Sequence, residues 1–130
     1  MPGRRPYASR AGARPWTEEA AWEMARVAMS AALDRKARDV LALDLRRISL
    51  VADYFVLASG TSTTQTQAIA QHVMEKMAEA GYPLLRSEGY ASALWILLDY
   101  GAVVVHVFRE EERRFYDLER LWGDAEVRTI

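Results

Sequence analysis

The fold of this chain is decided by one stretch, residues 94–108, which reads LWILLDYGAVVVHVF. It contains two apolar runs, 94–98 and 103–108, whose branched and aromatic side chains favour β-strands. Between these runs lies the segment 99–102, where Gly101 can adopt the positive φ that a tight turn requires. The stretch therefore predicts an antiparallel hairpin within a larger sheet.

The remaining elements follow from apolar patterns on either side of this hairpin. Further strands are predicted at 40–43, 54–58 and 84–86, and helices at 17–36, 64–80 and 111–122. Thr17 and Gly81 are residue types that begin and end such helices. One side of the last helix carries a predicted apolar stripe made of Phe115, Leu118, Leu121 and Trp122. The α+β-like order αββαβββα predicts an α/β domain in which helices flank a mixed β-sheet.

Charge is distributed unevenly along the chain. The first 16 residues carry four arginines and no acid, and the rest holds 13 basic and 18 acidic side chains, a charge of −5. We therefore predict a disordered basic arm at 1–16, one domain at 17–125 and a tail at 126–130. The acidic domain suits a basic partner better than a phosphate backbone, whose binding depends on Lys and Arg.

Several protein classes are disfavoured by what the sequence lacks. It has no cysteine, which excludes disulfides and thiolate metal sites and fits a reducing compartment. Its apolar runs are shorter than the roughly 20 residues that span a bilayer, and no apolar signal segment is visible. We expect a cytoplasmic protein that has no membrane partner.

Few residues combine in a pattern that carries catalysis. The turn Ser59–Ser62 links a strand to a helix, but it lacks the lysine of a phosphate-binding loop and the glycine spacing of a dinucleotide site. His72 is predicted on the exposed side of its helix and His106 in a buried strand, and neither belongs to a metal-binding motif. We therefore predict no catalytic residue, no metal site and no cofactor.

Two other functions stay open on the residues alone. A nucleotide-binding or nucleotidyltransferase-like enzyme would use the Ser59–Ser62 turn as an anion site. A general RNA-binding protein would use the arginine-rich arm, a segment that also has the composition of a short organelle transit peptide.

Large and acidic side chains concentrate around the predicted hairpin. They are Glu88, Trp95, Asp99, Tyr100, Tyr116, Glu119 and Trp122. A single aromatic residue is more often part of a core, but Trp and Tyr beside carboxylates are typical of a protein-binding hot spot. This composition favours a protein that binds a macromolecular partner over an enzyme.

An ordered set of short motifs extends over residues 20–125. The set comprises RKA at 35–37, DV at 39–40, LDL at 43–45, ADYFV at 52–56, SG at 59–60, QAIA at 67–70, EG at 88–89, WxLLDYG at 95–101, VVHVF at 104–108 and FYxLExLW at 115–122. In this order the motifs closely resemble the ribosomal silencing factor family, which is called RsfS or Iojap.

The resemblance implies a nucleotidyltransferase-like α/β fold without known transferase activity. It also implies binding to the large ribosomal subunit through large-subunit ribosomal protein fourteen, at the intersubunit face. Joining of the small subunit would then be blocked and translation repressed. Contact with nucleic acid would be incidental to ribosome binding, and the free protein would form a homodimer.

We predict that the partner-binding surface combines acidic groups with aromatic anchors. The acidic groups that would face basic ribosomal side chains are Glu88, Asp99 and Glu119. The apolar anchors would be Trp95, Tyr100 and Tyr116. One position departs from the family, because Ala102 stands where the family usually has Asp after the glycine of the turn. That change is expected to remove one acid from the surface.

Overall fold

The computed structural model describes residues 17–130. Its elements are α1 (Glu18–Asp34), β1 (Arg38–Asp44), β2 (Tyr54–Gly60), α2 (Thr63–Glu79), β3 (Arg86–Glu88), β4 (Trp95–Asp99), β5 (Val103–Arg109), α3 (Glu110–Tyr116), α4 (Leu118–Leu121) and β6 (Glu126–Arg128). The strands form one sheet in the order β3-β4-β5-β2-β1-β6. The basic arm predicted at 1–16 lies outside the described residues.

The sheet is mixed, as the sequence predicts. Its two central strands, β2 and β5, run parallel, and each of the other neighbouring pairs is antiparallel. β4 and β5 form the predicted hairpin, in which Trp95 lies opposite Phe108 and Gly101 adopts a φ of 90° in the turn. The α/β fold and the hairpin are therefore confirmed.

Helices α1 and α2 cover one face of the sheet. Each begins at a side-chain cap: the Thr17 hydroxyl accepts from the Ala20 N–H at 2.9 Å, and the Ser62 hydroxyl accepts from the Gln65 N–H at 3.1 Å. The buried side of α1 consists of alanines and methionines, which let the helix approach both α2 and the sheet closely. This layer forms the larger part of the core.

Alternation of side chains along β5 divides the core into two layers. Val103, Val105 and Val107 pack in the layer under α1 and α2, whereas Val104 and Phe108 pack on the opposite face. That opposite face is covered only in part, by apolar side chains of α4 and the segment that follows it. On the remainder of this face, Trp95 and Leu97 stay only half-buried.

The last predicted helix is interrupted, which corrects the sequence prediction. Asp117 adopts the left-handed conformation at a φ of 48°, and the chain turns there from α3 into α4. Aspartate tolerates this conformation better than most residues do. Leu118 thereby reaches the core, but Phe115 and Leu121 stay 81% and 72% exposed, so the four apolar residues do not form one continuous stripe along a single helix.

The segment predicted as a tail also contains structure. β6 pairs with β1, so it satisfies backbone groups that would otherwise form an open sheet edge. Arg128 holds β6 in place, because its guanidinium lies 3.4 Å from the Asp44 carboxylate and 5.0 Å from the centroid of the Trp22 ring. The domain therefore continues beyond residue 125.

Two smaller predictions are wrong. The short strand spans Arg86–Glu88 instead of 84–86, although pairing begins nearby, where the Leu85 N–H donates to the Asp99 carbonyl at 2.8 Å. His72 is buried, not exposed, because its side of α2 faces the end of α1. There His72 Nε2 lies 3.1 Å from the Asp34 carboxylate.

Candidate partner-binding surface

The register of the sheet brings several predicted contact residues to one face. Glu88 of β3 pairs with Leu97 of β4, and Trp95 of β4 pairs with Phe108 of β5. Paired residues point to the same side of a sheet, and positions two apart along a strand do as well. Glu88 and Trp95 therefore share the face that α1 and α2 leave open. Tyr116 of α3 reaches this face too, with its ring centroid 4.7 Å from that of Trp95.

Aromatic rings run across this face in a continuous series. Successive ring centroids lie 5.7 Å apart for Trp122 and Phe55, 4.5 Å for Phe55 and His106, 5.9 Å for His106 and Trp95, 4.7 Å for Trp95 and Tyr116, and 5.1 Å for Tyr116 and Phe115. Phe108 stacks on Trp95 at 4.9 Å. Separations of this size are typical of favourable ring contacts. The rings of this series that reach solvent, together with the half-buried Leu97 on the same face, are called the aromatic patch: Trp95, Leu97, Phe115, Tyr116 and Trp122.

The aromatic patch is open to solvent. Phe115 is 81% exposed and Tyr116 is 48% exposed, and the other three members are half-buried. Contiguous exposed apolar surface on a folded domain commonly marks a site of interaction. The patch therefore has the composition and the accessibility of a protein-binding hot spot.

His106 lies directly behind the patch. The indole Nε1–H of Trp95 donates to His106 Nδ1 at 3.0 Å. Burial lowers the pKa of His106 to about 3, so the ring is neutral near pH 7 and can accept this hydrogen bond. The prediction of a buried His106 is confirmed.

Arg113 fixes α3 and α4 to the sheet. Its guanidinium donates to Ser59 Oγ at 2.8 Å and to the Glu119 carboxylate at 2.9 and 3.2 Å. The charge of Glu119, a predicted contact residue, is therefore balanced within the protein. Sequence reasoning missed Arg113, because it stands in a run of charged residues and its separation from Glu119 is not a helical pairing distance.

Asp99 and Tyr100 are predicted contact residues that the structure buries, and this is a correction. Asp99 is 2% exposed, and its Oδ1 accepts from the Gly101 N–H at 2.9 Å. Tyr100 is 3% exposed and packs in the layer under the helices, where burial raises the pKa of its hydroxyl to about 12. Both side chains are buried beside the hairpin turn, so neither is exposed for contact with a partner.

Ala102 is buried as well, which changes the meaning of its departure from the family pattern. It is 1% exposed, and its carbonyl accepts from the N–H groups of Asp53 and Tyr54 at 2.7 and 3.1 Å. Ala102 itself therefore adds nothing to the exposed surface, and the expectation that it removes an acid from a contact surface stays a prediction.

Of the three acidic residues predicted to contact a partner, Glu88 is the most exposed. It is exposed on the edge strand β3 and forms an ion pair with Arg86. Exposed pairs of this kind contribute little to stability. Glu88 therefore supplies a polar group beside the patch, and its partner Arg86 is shared with the buried Asp99 carboxylate, which lies 3.4 Å from Arg86 Nε.

The Ser59–Ser62 turn uses its polar groups internally. The Thr61 N–H donates to Gln65 Oε1 at 2.7 Å, the Gln65 N–H donates to Ser62 Oγ at 3.1 Å, and Ser59 Oγ accepts from Arg113. Gln65 in turn donates from Nε2 to the carbonyls at the end of α1. The turn thus acts as a helix cap that joins α2 to α1, and it does not favour an anion site.

Residues 17–130 contain neither a cluster of metal ligands nor a helix that could span a membrane. No group of three or more His, Cys, Asp or Glu side chains is placed there to hold a metal ion. No helix in this range combines the length and the apolar character that crossing a membrane requires.

Comparison with known sequences points to one family. The sequence profile of the family described as "Ribosomal silencing factor during starvation" matches residues 18–130. A curated relative from Bacillus subtilis (strain 168), named Ribosomal silencing factor RsfS, is 49% identical over 105 residues, or 81% of this chain and 89% of the relative. A relative from Mus musculus, named Mitochondrial assembly of ribosomal large subunit protein 1, is 34% identical over 90 residues, or 66% of this chain and 39% of the relative.

Comparison of folds agrees with the sequence matches. A crystal structure of a protein from Chromobacterium violaceum has a TM-score of 0.77 at 38% identity, and the match covers 78% of this chain and 85% of that one. The family profile spans every element from α1 to β6, including all five members of the aromatic patch. The chain therefore belongs to the ribosomal silencing factor family RsfS, whose members regulate the ribosome and are not enzymes.

Proposed function

We propose that this chain binds the large ribosomal subunit at its intersubunit face, in the cytoplasm, and thereby prevents the small subunit from joining. Family membership supports a role in ribosome silencing. The name of the mouse relative refers to assembly of the large ribosomal subunit, which supports the choice of that subunit. The observation that carries the proposal is the aromatic patch, which is exposed, contiguous and bordered by ion pairs.

The proposed direct partner is large-subunit ribosomal protein fourteen. Aromatic faces attract Arg and Lys cations as well as apolar groups, so the patch suits a protein surface that mixes both. The Glu88–Arg86 and Glu119–Arg113 pairs place carboxylate acceptors beside it. Residues 17–130 carry a charge of −5, which disfavours binding to bare RNA, because such binding depends on an excess of Lys and Arg side chains that neutralise phosphates. Contact with nucleic acid is therefore incidental in this proposal.

A small number of anchors can provide the affinity. Burying an exposed Phe side chain contributes about 1.5–3 kcal/mol, and Phe115 exposes most of its surface. Tyr116 is held between the rings of Trp95 and Phe115 before any partner arrives, so it loses little side-chain freedom on binding. Truncation of a true anchor is expected to cost about 2 kcal/mol or more.

Silencing by this route requires no chemical reaction. A folded domain bound at the intersubunit face occupies space that the small subunit must enter, so the two binding events exclude each other. Inhibition of subunit joining should therefore follow the same concentration dependence as binding to the large subunit.

We also propose that the free protein forms a homodimer in which a second copy covers the aromatic patch. Phe115 and Leu121 are large apolar side chains that a monomer leaves mostly in water. Sedimentation velocity at increasing concentration should show dimer formation, and Phe115→Ser should shift the equilibrium toward monomer. A native chain that stays monomeric at all concentrations would reject this part of the proposal.

Co-sedimentation with separated ribosomal subunits tests the main proposal. The native chain should sediment with large subunits and not with small ones, and a Trp95→Ala/Tyr116→Ala variant should lose about tenfold or more in affinity. Light scattering should show that the native chain, but not the variant, blocks joining of the two subunits.

Tyr90→Ala is the matched control. Tyr90 is a partly exposed tyrosine on the side of α2, where its hydroxyl donates to Gln71 Oε1 at 3.0 Å. The control variant should bind and inhibit like the native chain. Equal loss in both variants, or binding to both subunits alike, would overturn the assignment of the patch.

A further inference from the structure

His106 introduces a polar group that its own surroundings do not satisfy. An indole N–H can only donate, so His106 Nδ1 accepts from Trp95 and the proton of the neutral ring lies on Nε2. His106 Nε2 is buried and has no hydrogen-bond partner among the residues that the structure describes. A buried donor without an acceptor destabilises the folded state.

An apolar side chain would fill this position without that cost. The His106 ring lies 4.5 Å from the ring of Phe55 and 6.2 Å from that of Phe108, centroid to centroid. Its partners on the neighbouring strands are Leu57 and Leu97. Packing alone therefore gives no reason for an imidazole.

The imidazole can, however, accept a hydrogen bond from Trp95, which an apolar side chain cannot. That bond restricts rotation of the indole, which lies between Phe108 at 4.9 Å and Tyr116 at 4.7 Å. Trp95 is only half-buried, so its orientation determines which surface the aromatic patch offers to a partner.

We propose that His106 is a positioning residue for partner binding, which orients Trp95 within the aromatic patch at the expense of folding stability. The inference rests on the proposed function, since it takes the patch as the contact surface. A purely structural His106 would make the opposite prediction for stability, because its removal would then destabilise the fold.

Two substitutions separate these roles. His106→Leu removes the acceptor at similar volume, and His106→Asn retains an acceptor, since Asn Oδ1 takes the approximate place of Nδ1. Three properties are measured on each: resistance to urea, the indole N–H resonance of Trp95 in the free protein, and affinity for purified large subunits. The indole resonance is assigned with Trp95→Phe.

We expect His106→Leu to resist urea as well as the native chain or better, to shift the indole resonance and to speed its hydrogen exchange. Its affinity for large subunits should fall about fivefold to tenfold, the value of one lost hydrogen bond at a binding site. His106→Asn should recover the indole resonance and bind within about threefold of the native chain.

Native affinity of His106→Leu, or an unchanged indole resonance, would overturn the inference. If His106→Leu does not fold, His106→Asn decides, and a folded Asn variant that does not bind also overturns it. If the native chain itself fails to bind large subunits, the proposed function fails together with the role in binding. The indole resonance of the free protein would still report separately whether His106 holds Trp95.

Discussion

Substitution of Arg113 by leucine should loosen the corner between α3 and α4 and lower the stability of the domain. The change removes three hydrogen bonds, one to Ser59 Oγ at 2.8 Å and two to the Glu119 carboxylate at 2.9 and 3.2 Å. Ser59 is 1% exposed, so water cannot easily replace its lost donor, which costs about 1–2 kcal/mol. The Glu119 side chain is 35% exposed and can be hydrated, so its lost ion pair adds about 1 kcal/mol.

The expected loss in the free energy of unfolding is therefore about 2–3 kcal/mol. Guanidinium unfolding followed by tryptophan fluorescence measures it as a lower midpoint at an unchanged slope. Arg114→Leu is the matched control, because Arg114 is the exposed neighbour of Arg113 on the same helix. That variant should stay within about 0.5 kcal/mol of the native chain.

A double-substitution cycle tests the assigned contact itself. Ser59→Ala should cost clearly less in the Arg113→Leu background than in the native chain, with a coupling energy of about 1 kcal/mol. Equal stabilities of Arg113→Leu and Arg114→Leu, or strictly additive effects of Arg113→Leu and Ser59→Ala, would refute the reasoning.

Three further predictions follow from the backbone and from burial. Gly89→Ala should lower the free energy of unfolding in urea by well over 1 kcal/mol, because the new Cβ would lie 2.1 Å from the Trp95 carbonyl oxygen and the residue has a φ of 83°. Gly81→Ala is the control: Gly81 also has a positive φ, of 89°, but no atom lies near the new Cβ, so the loss should be only about 1 kcal/mol. Ser62→Ala should lose about 1 kcal/mol by the same assay, because it removes the cap of α2, and no change would reject that cap. Burial lowers the pKa of His106 in the folded protein to about 3, from its usual value of 6.5. Between these pH values the unfolded chain binds more protons than the folded one, so the free energy of unfolding should fall as the pH drops from about 6.5 to about 3. Unfolding measured at several pH values should show a weaker acid dependence in His106→Leu than in the native chain, and identical profiles would contradict the shifted pKa.

Local patterns made the hairpin and the helix starts predictable. Residues 94–108 contain both strands and their turn, so the information that specifies the pairing is adjacent in sequence. The caps at Thr17 and Ser62 likewise depend on a side chain and an N–H three residues later.

Elements fixed by distant contacts were not predictable from the sequence. Helical spacing continues through Asp117, and the break there accompanies the contact of Arg113 with Ser59, which is 54 residues away. β6 has only three residues, too few to show an alternating pattern, and it forms because β1 offers an edge.

The candidate surface was predicted in part. Trp95 and Tyr116 were identified from residue type, and both belong to the aromatic patch. Tyr100 was misplaced because it lies in the turn that follows β4, where strand alternation does not set the direction of a side chain, and its burial depends on packing under the helices. The contribution of Phe115 required the structure, since its exposure depends on where α3 ends.

Site-directed photocross-linking tests most directly whether the aromatic patch contacts the large subunit. A photoreactive benzophenone side chain would replace Tyr116 in one sample and Tyr90 in another, and mass spectrometry would identify the ribosomal proteins captured. Position 116 should capture one protein of the large subunit, predicted to be protein fourteen, and position 90 should capture none. Capture of small-subunit proteins, or equal capture from both positions, would contradict the account.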